Sequence, residues 1–286
     1  MLVIRDIRRF SLLLCLICVP RLAAQSPTPP SPRNEPPPIE DNSFLIEEAY
    51  NQGRGVVQHI NTFSRFGRGG GWMYTFTQEW PLGGQTHQLS YAIPISRNDN
   101  ASGGRTGIGD IALNYRYQVG GIEHLGFALA PRATVLLPTG SSRRALGSGG
   151  TGLQLNLPFS AELPAHFVAH SNAGITYTPR ARDSDGNSAA TRSYALGQSL
   201  IWLAHPKLNL MLESIWTSAH DVVGRGQTVR TSELLLSPGL RGAIDFPSGL
   251  QIVPGLAFPF GIGSSRGERA VFAYLSFEHP FGRGSQ

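Results

Sequence analysis

Gly152-Leu153-Gln154-Leu155-Asn156-Leu157-Pro158-Phe159-Ser160-Ala161-Glu162-Leu163 decides how the chain folds. Leu153, Leu155, Leu157, Phe159, Ala161 and Leu163 alternate with Gln154, Asn156, Ser160 and Glu162. Successive side chains of a β-strand point to opposite faces, so a period of two writes one apolar and one polar face. The same alternation runs through Leu89, Tyr91, Ile93 and Ile95, through Ile111, Leu113, Tyr115, Tyr117 and Val119, and through Leu208, Leu210, Leu212 and Trp216. About twelve such segments are expected, near 54–66, 71–80, 87–96, 108–119, 123–137, 151–163, 166–178, 191–204, 207–218, 229–244, 249–260 and 269–281. An even number closes a barrel with both chain ends on one side.

No stretch reaches the ~18 consecutive apolar residues of a membrane helix. A barrel crosses lipid with only every second residue apolar, which suits this chain. The connections point the same way. Short turns at Gly120-Gly121-Ile122, Pro164-Ala165, His205-Pro206 and Pro247-Ser248-Gly249 take turns with long polar stretches at 97–107, 138–150, 179–190 and 219–228. Only the first external loop, near Gly67 to Gly70, is short. Short periplasmic turns and long external loops are the habit of outer-membrane barrels. The expected fold is therefore all-β, an antiparallel transmembrane barrel of about twelve strands over residues 53–281.

Residues 1–24 read as a cleaved secretory signal. Arg5, Arg8 and Arg9 precede the apolar run Phe10 to Val19, and Pro20 and Leu22-Ala23-Ala24 supply the break and the small-residue cleavage site. Both cysteines, Cys15 and Cys18, fall inside it, so the mature chain has no thiol chemistry. Without the four arginines and one aspartate of that segment, the net charge falls from +5 to +2, which gives no basis for nucleic-acid binding. Residues 25–41 carry seven prolines and read as a disordered, extended linker. Residues 42–52 suggest a short helix capped by Asn42 or Ser43, with Glu47 and Glu48 near its positive end. Phe44, Leu45 and Tyr50 need an apolar surface and are the candidates for a plug in the lumen. Residues 282–286 form a C-terminal extension.

With the apolar faces toward lipid, Glu79, Asp110, Arg116, Arg132, Glu162, Glu213, Glu233, Arg241 and Glu278 line the lumen. Both signs occur, unlike a single-sign ion filter. They read either as a salt-bridged network closing a narrow barrel or as a polar eyelet, in which Arg116, Arg132, Glu213 and Arg241 are the permeation candidates. Arg143, Arg144, Arg180 and Arg182 fall in or beside the long loops. Guanidinium forks bind phosphate, so these four are candidate contacts to outer-membrane lipid and lipopolysaccharide headgroups. Trp72 and Trp80 on the second strand, and Phe258 and Phe260 on the eleventh, fit an interfacial belt.

Catalysis finds little support. There is no Gly-x-Ser-x-Gly elbow and no His-Glu-x-x-His motif. The histidines His166 and His170 fall on the lumen side, and His279 stands alone near the last turn. No metal or cofactor motif is present, so neither is expected. Three classes stay in view: a channel, a structural or adhesive barrel with a plugged lumen, and, third, a barrel lipid hydrolase.

Two stretches carry a family resemblance. One is Phe44-Leu45-Ile46-Glu47-Glu48-Ala49-Tyr50-Asn51-Gln52 followed by Gly55-Val56-Val57-Gln58-His59-Ile60. The other is Gly107-Ile108-Gly109-Asp110-Ile111-Ala112-Leu113-Asn114-Tyr115-Arg116-Tyr117 with the later Leu137-Pro138-Thr139-Gly140. They resemble the transporter-like outer-membrane proteins grouped with the meta-pathway of phenol degradation. The resemblance implies an outer-membrane barrel that passes small, often aromatic or hydrophobic solutes. Val271, Ala273, Leu275, Phe277 and Phe281 also look like the aromatic C-terminal signal read by barrel-assembly machinery. His279 and the tail Gly282 to Gln286 depart from that pattern.

Overall fold

The computed structural model describes residues 42–67, 70–99, 104–119, 126–246 and 250–280. The expected signal, linker, Phe281 and C-terminal extension lie outside the described residues. Sixteen strand segments form one closed antiparallel sheet. They are β1 (Val56–Phe66), β2 (Trp72–Pro81), β3 (His87–Asn98), β4 (Arg105–Ile108), β5 (Ile111–Tyr117), β6 (Phe127–Leu129), β7 (Arg132–Leu137), β8 (Gly152–Leu163), β9 (Phe167–Arg182), β10 (Ser188–His205), β11 (Leu208–Gly224), β12 (Gln227–Gly242), β13 (Ile244–Asp245), β14 (Gln251–Ala257), β15 (Phe260–Gly261) and β16 (Ala270–Pro280).

Four staves are each interrupted once, at Gly109-Asp110, Ala130-Pro131, Ala243 and Phe258-Pro259, so the sixteen segments make twelve barrel staves. The proline at Pro131 lacks a ladder N–H, which accounts for the break there. Closure runs from β1 to β16 over eleven residue pairs, Val56↔Pro280 to Phe66↔Ala270. The join of the β12–β13 stave to the β14–β15 stave is thinner, with seven pairs broken into three short runs. We call the rim carrying Val56 and Pro280 the near rim and the opposite one the far rim.

The distribution of side chains inverts that of a water-soluble protein. Leu153, Leu155, Leu196 and Leu212 point outward at 58%, 61%, 54% and 51% exposure. Gln88, Asn114, Arg116, Asn209, Glu213 and Arg241 are buried inside. A continuous apolar outer belt on a closed sheet needs hydrocarbon as its solvent, and closure leaves no unpaired edge in it. Near the near rim the belt ends in rings: Trp80 against Tyr91, His87 against Tyr115 and Phe167 against Trp202. Rings of this kind sit at the membrane–water interface.

Two expectations are corrected. The stretches 179–190 and 219–228 are not long loops. β9 to β12 run for 16, 18, 17 and 16 residues, well beyond the ~9–11 that cross a bilayer. Their hairpins shrink to residues 183–187 and to Arg225-Gly226, where Gly226 takes the positive φ of +69° that the tight turn demands. Residues 42–52 are not helical either. They run as an extended, bent segment inside the barrel, because lumen side chains take up the backbone N–H groups that a helix would have bonded internally.

Candidate functional site

The lumen is filled by residues 42–52. Their backbone is held by side chains of the wall, one after another. Three consecutive N–H groups, of Phe44, Leu45 and Ile46, donate to Glu213 Oε1 at 3.0, 2.7 and 3.2 Å. Successive backbone donors curled around one anion form a nest. Glu47 N–H donates to Asn172 Oδ1 at 2.8 Å, and Ala49 N–H to Ser160 Oγ at 2.8 Å. Asn51 and Gln52 donate to Gln118 Oε1 and Gln88 Oε1 at 2.7 and 2.8 Å. Ser43 Oγ donates to Ser199 Oγ at 2.6 Å. A polar wall thus satisfies an irregular backbone at membrane depth, as it must when no water-filled loop is available.

The side chains of the segment key into the wall at glycines. Phe44 lies against Phe272 and Tyr274, with ring centroids 5.3 and 5.1 Å away. It sits over Gly239 and Gly255. A Cβ on Gly239 would come within 3.0 Å of the ring, and one on Gly255 would enter it. Gly197 likewise leaves room for the Ile46 side chain. Ile46 and Ala49 are the most buried apolar residues of the segment, whereas the sequence-based candidates Phe44, Leu45 and Tyr50 are half-buried.

The four permeation candidates all face this segment's side of the wall. Arg116, 2% exposed, gives Nε to Asn51 Oδ1 at 2.7 Å, Nη1 to Glu47 Oε1 at 3.0 Å and Nη2 to the Tyr50 carbonyl at 2.7 Å. Arg132 is 3.1 Å from the other oxygen of Glu47 and donates to Asn114 and Gln154. Glu213 carries the nest. Arg241 is buried across the ladder from Asn209. Glu79 accepts from Gln88, and Glu278 from Gln58. Glu162 and Glu233 are exposed. Glu47 is therefore the hub that sequence reasoning missed. Its partners are 69 and 85 positions away in the chain, beyond any local pattern.

Of the lipid-head candidates, Arg143 and Arg144 are exposed on a single helical turn, Ser142–Arg144, beyond β7. Arg180 and Arg182 are exposed on the far end of β9. One histidine expectation changes. His279 is not alone: its Nε2 lies 2.9 Å from His59 Nε2 on the outer face. His170 Nδ1 lies 2.7 Å from Ser160 Oγ, the same hydroxyl that accepts Ala49 N–H. That hydroxyl anchors the plug.

At the far rim the second family stretch folds back on itself. Asp110 accepts from Gly140 N–H at 3.0 Å, Ser148 N–H at 2.7 Å and Ser148 Oγ at 2.6 Å. Thr139 Oγ1 donates to the Gly109 carbonyl at 2.7 Å. The break in the fourth stave thereby pins the loop 138–151. Nearby, Arg97 bonds Asp99 and holds its carboxyl below the usual range. Beside the plug is a cavity of about 430 Å³, lined among others by Leu45, Ile46, Asn156, Asn172, Thr176 and Ile215.

A closed twelve-stave barrel with an apolar belt, a polar lumen and an internal plug defines a transmembrane β-barrel of porin-like architecture. The family model described as "Putative MetA-pathway of phenol degradation" matches residues 48–274, and the chain belongs to that family. Solved structures that share the fold include two outer-membrane barrels. An outer membrane channel from Pseudomonas putida F1 superposes with a TM-score of 0.59 at 13% identity, covering 82% of this chain and 98% of that one. The NanC porin gives 0.52 at 7% identity, covering 77% and 98%. No curated protein matches the chain in sequence.

Proposed function

We propose that the protein is an exported outer-membrane channel, closed at rest by residues 42–52, that passes small solutes without chemistry when this segment leaves. The observation that carries this is the nature of the plug's attachment. It is held by polar contacts: backbone hydrogen bonds to wall side chains, three of them on the single Glu213 carboxylate, and the Glu47 ion pairs to Arg116 and Arg132. Neutral bonds of this kind exchange for water at a modest net cost and charged ones at a larger one, so the segment leaves by trading polar contacts for water and not by breaking a packed hydrophobic core. The cavity beside it combines Leu45, Ile46 and Ile215 with Asn156, Asn172 and Thr176. That mixture suits a small ring bearing a hydroxyl, in keeping with a family described by phenol degradation. The near rim faces the periplasm and the far rim the exterior. Residues 1–24 act as the export signal and 25–41 as a tether.

The test uses Ser43 and Ser199, whose oxygens are 2.6 Å apart. Full-length chain carrying Cys15→Ser and Cys18→Ser, with Ser43→Cys and Ser199→Cys added, is refolded into planar bilayers. A disulfide should form there. Oxidation should abolish single-channel currents and reduction restore them. Currents that ignore the disulfide would refute a route through the plug. A barrel silent in both states would favour a structural role.

A further inference from the structure

The outer wall holds a second site. Two cross-strand rows of outward side chains enclose a hollow. One runs Tyr115, Ala133, Leu155, Ile175, Tyr194 across β5, β7, β8, β9 and β10. The next includes Tyr117, Pro131, Leu157, Ala173, Leu196 and Trp216, with Leu157 opposite Ala173, Ala173 opposite Leu196, and Leu196 opposite Trp216. Ala133 and Ala173 place small residues among large ones, and the outcome is an apolar concavity of about 790 Å³ on the lipid-facing surface.

The row directly above it changes character. Leu153 pairs Tyr177, and Tyr177 pairs Arg192. The Arg192 carbonyl is bonded by His220, which pairs Arg230. Arg192 stands 5.8 Å over the Tyr177 ring, and Arg230 Nε donates to Ser218 Oγ at 2.8 Å. Each guanidinium thus has one close contact and is otherwise exposed. Among the described residues, neither Arg192 nor Arg230 forms an ion pair with a carboxylate.

Height follows from the strand itself. Arg192 is ten residues above Trp202, which stacks on Phe167 in the near-rim belt. Ten residues span about 34 Å along a strand. At a tilt of about 40° they rise about 26 Å along the membrane normal, close to the ~25 Å apolar band of such barrels. Arg192 and Arg230 therefore emerge at the far interface, and the concavity lies beneath them within the hydrocarbon.

We infer that Arg192, Arg230 and the groove beneath them form a binding site for a phosphorylated, multi-acyl glycolipid of the outer leaflet. The guanidinium forks take the phosphate and the groove takes an acyl chain. The exposed arginines are the charge complement of a phosphate, and an apolar hollow of about 790 Å³ gives room for a chain that lies against protein.

Native mass spectrometry of the detergent-purified full-length protein tests this with three probes: bis-phosphorylated lipid A, its dephosphorylated form and inorganic pyrophosphate. The phosphorylated lipid should bind at least tenfold more tightly than the dephosphorylated one. Arg192→Ala with Arg230→Ala should remove that preference, and Ala173→Leu, which fills the groove from outside, should weaken lipid retention at least fivefold. Heat-modifiable gel mobility checks that both variants are folded. Retention unchanged in either variant overturns the site. Displacement of lipid by pyrophosphate at equal concentration would reveal a bare phosphate site instead, and overturns the acyl part.

Discussion

Glu213→Ala removes the one carboxylate that holds the plug's first bend. Phe44, Leu45 and Ile46 give it three N–H bonds at 3.0, 2.7 and 3.2 Å, all to Oε1. One carboxylate oxygen has two lone-pair sites, so about two of the three count fully. A hydrogen bond to a charged group is worth roughly 1.5–3 kcal/mol net of water, which puts the loss at roughly 3–6 kcal/mol. Each ~1.4 kcal/mol is a factor of ten, so the ratio of released to seated plug should rise by about 10²–10⁴. Glu213→Gln keeps an acceptor without the charge and should show about half the effect in free energy. Single-channel recording of open probability reads the shift directly. Protease access to residues 42–52 in folded, vesicle-inserted protein reads it independently. Wild-type open probability and wild-type protection in Glu213→Ala would show that the nest does not hold the segment, and the gating argument would fall with it.

Other expectations follow from the same geometry. Leu155→Arg places a charge on an outward position that is 61% exposed, at a cost of ~2–4 kcal/mol near the midplane; urea titration of vesicle-inserted protein should show that loss, and an unchanged midpoint would contradict the lipid-facing assignment. Gly197→Val puts side-chain atoms where Ile46 lies; the plug should unseat while the barrel keeps its heat-modifiable mobility, and a plug still protected from protease would argue against the recess. Asp110→Ala removes three bonds to residues 140 and 148; trypsin should then cut at Arg143 or Arg144 at least tenfold faster, and equal rates would mean that the loop is pinned elsewhere.

The fold was legible because lipid enforces the period of two wherever a strand crosses it. Leu153 to Leu163 shows this, and β8 covers the same stretch. Legibility failed where lipid ends. Arg180, Arg182, His220 and Asp221 continue β9 and β11 beyond the belt, where backbone pairing persists and apolar alternation is no longer required. The facing of Arg116, Arg132, Glu213 and Arg241 could be read from parity. Their roles could not, since each depends on partners distant in the chain. The short segment 42–52 misled for a related reason. Its caps and carboxylates fit a helix locally, but Glu213, Asn172, Ser160 and Gln88 offer its N–H groups bonds that no local reading contains.

The thin join between β12 and β14 has a mechanical meaning. Phe44 straddles it, touching Gly239 on one stave and Gly255 on the other. The ring works as a rivet across a short, interrupted weld in the cylinder. When the segment withdraws, the wall there loses its fastening along with the lumen losing its stopper. Amide exchange should therefore quicken first at Gly239 to Arg241 and at Gly255 to Ala257, while the eleven-rung weld between β1 and β16 stays slow. Stopper and shell would then soften as one part.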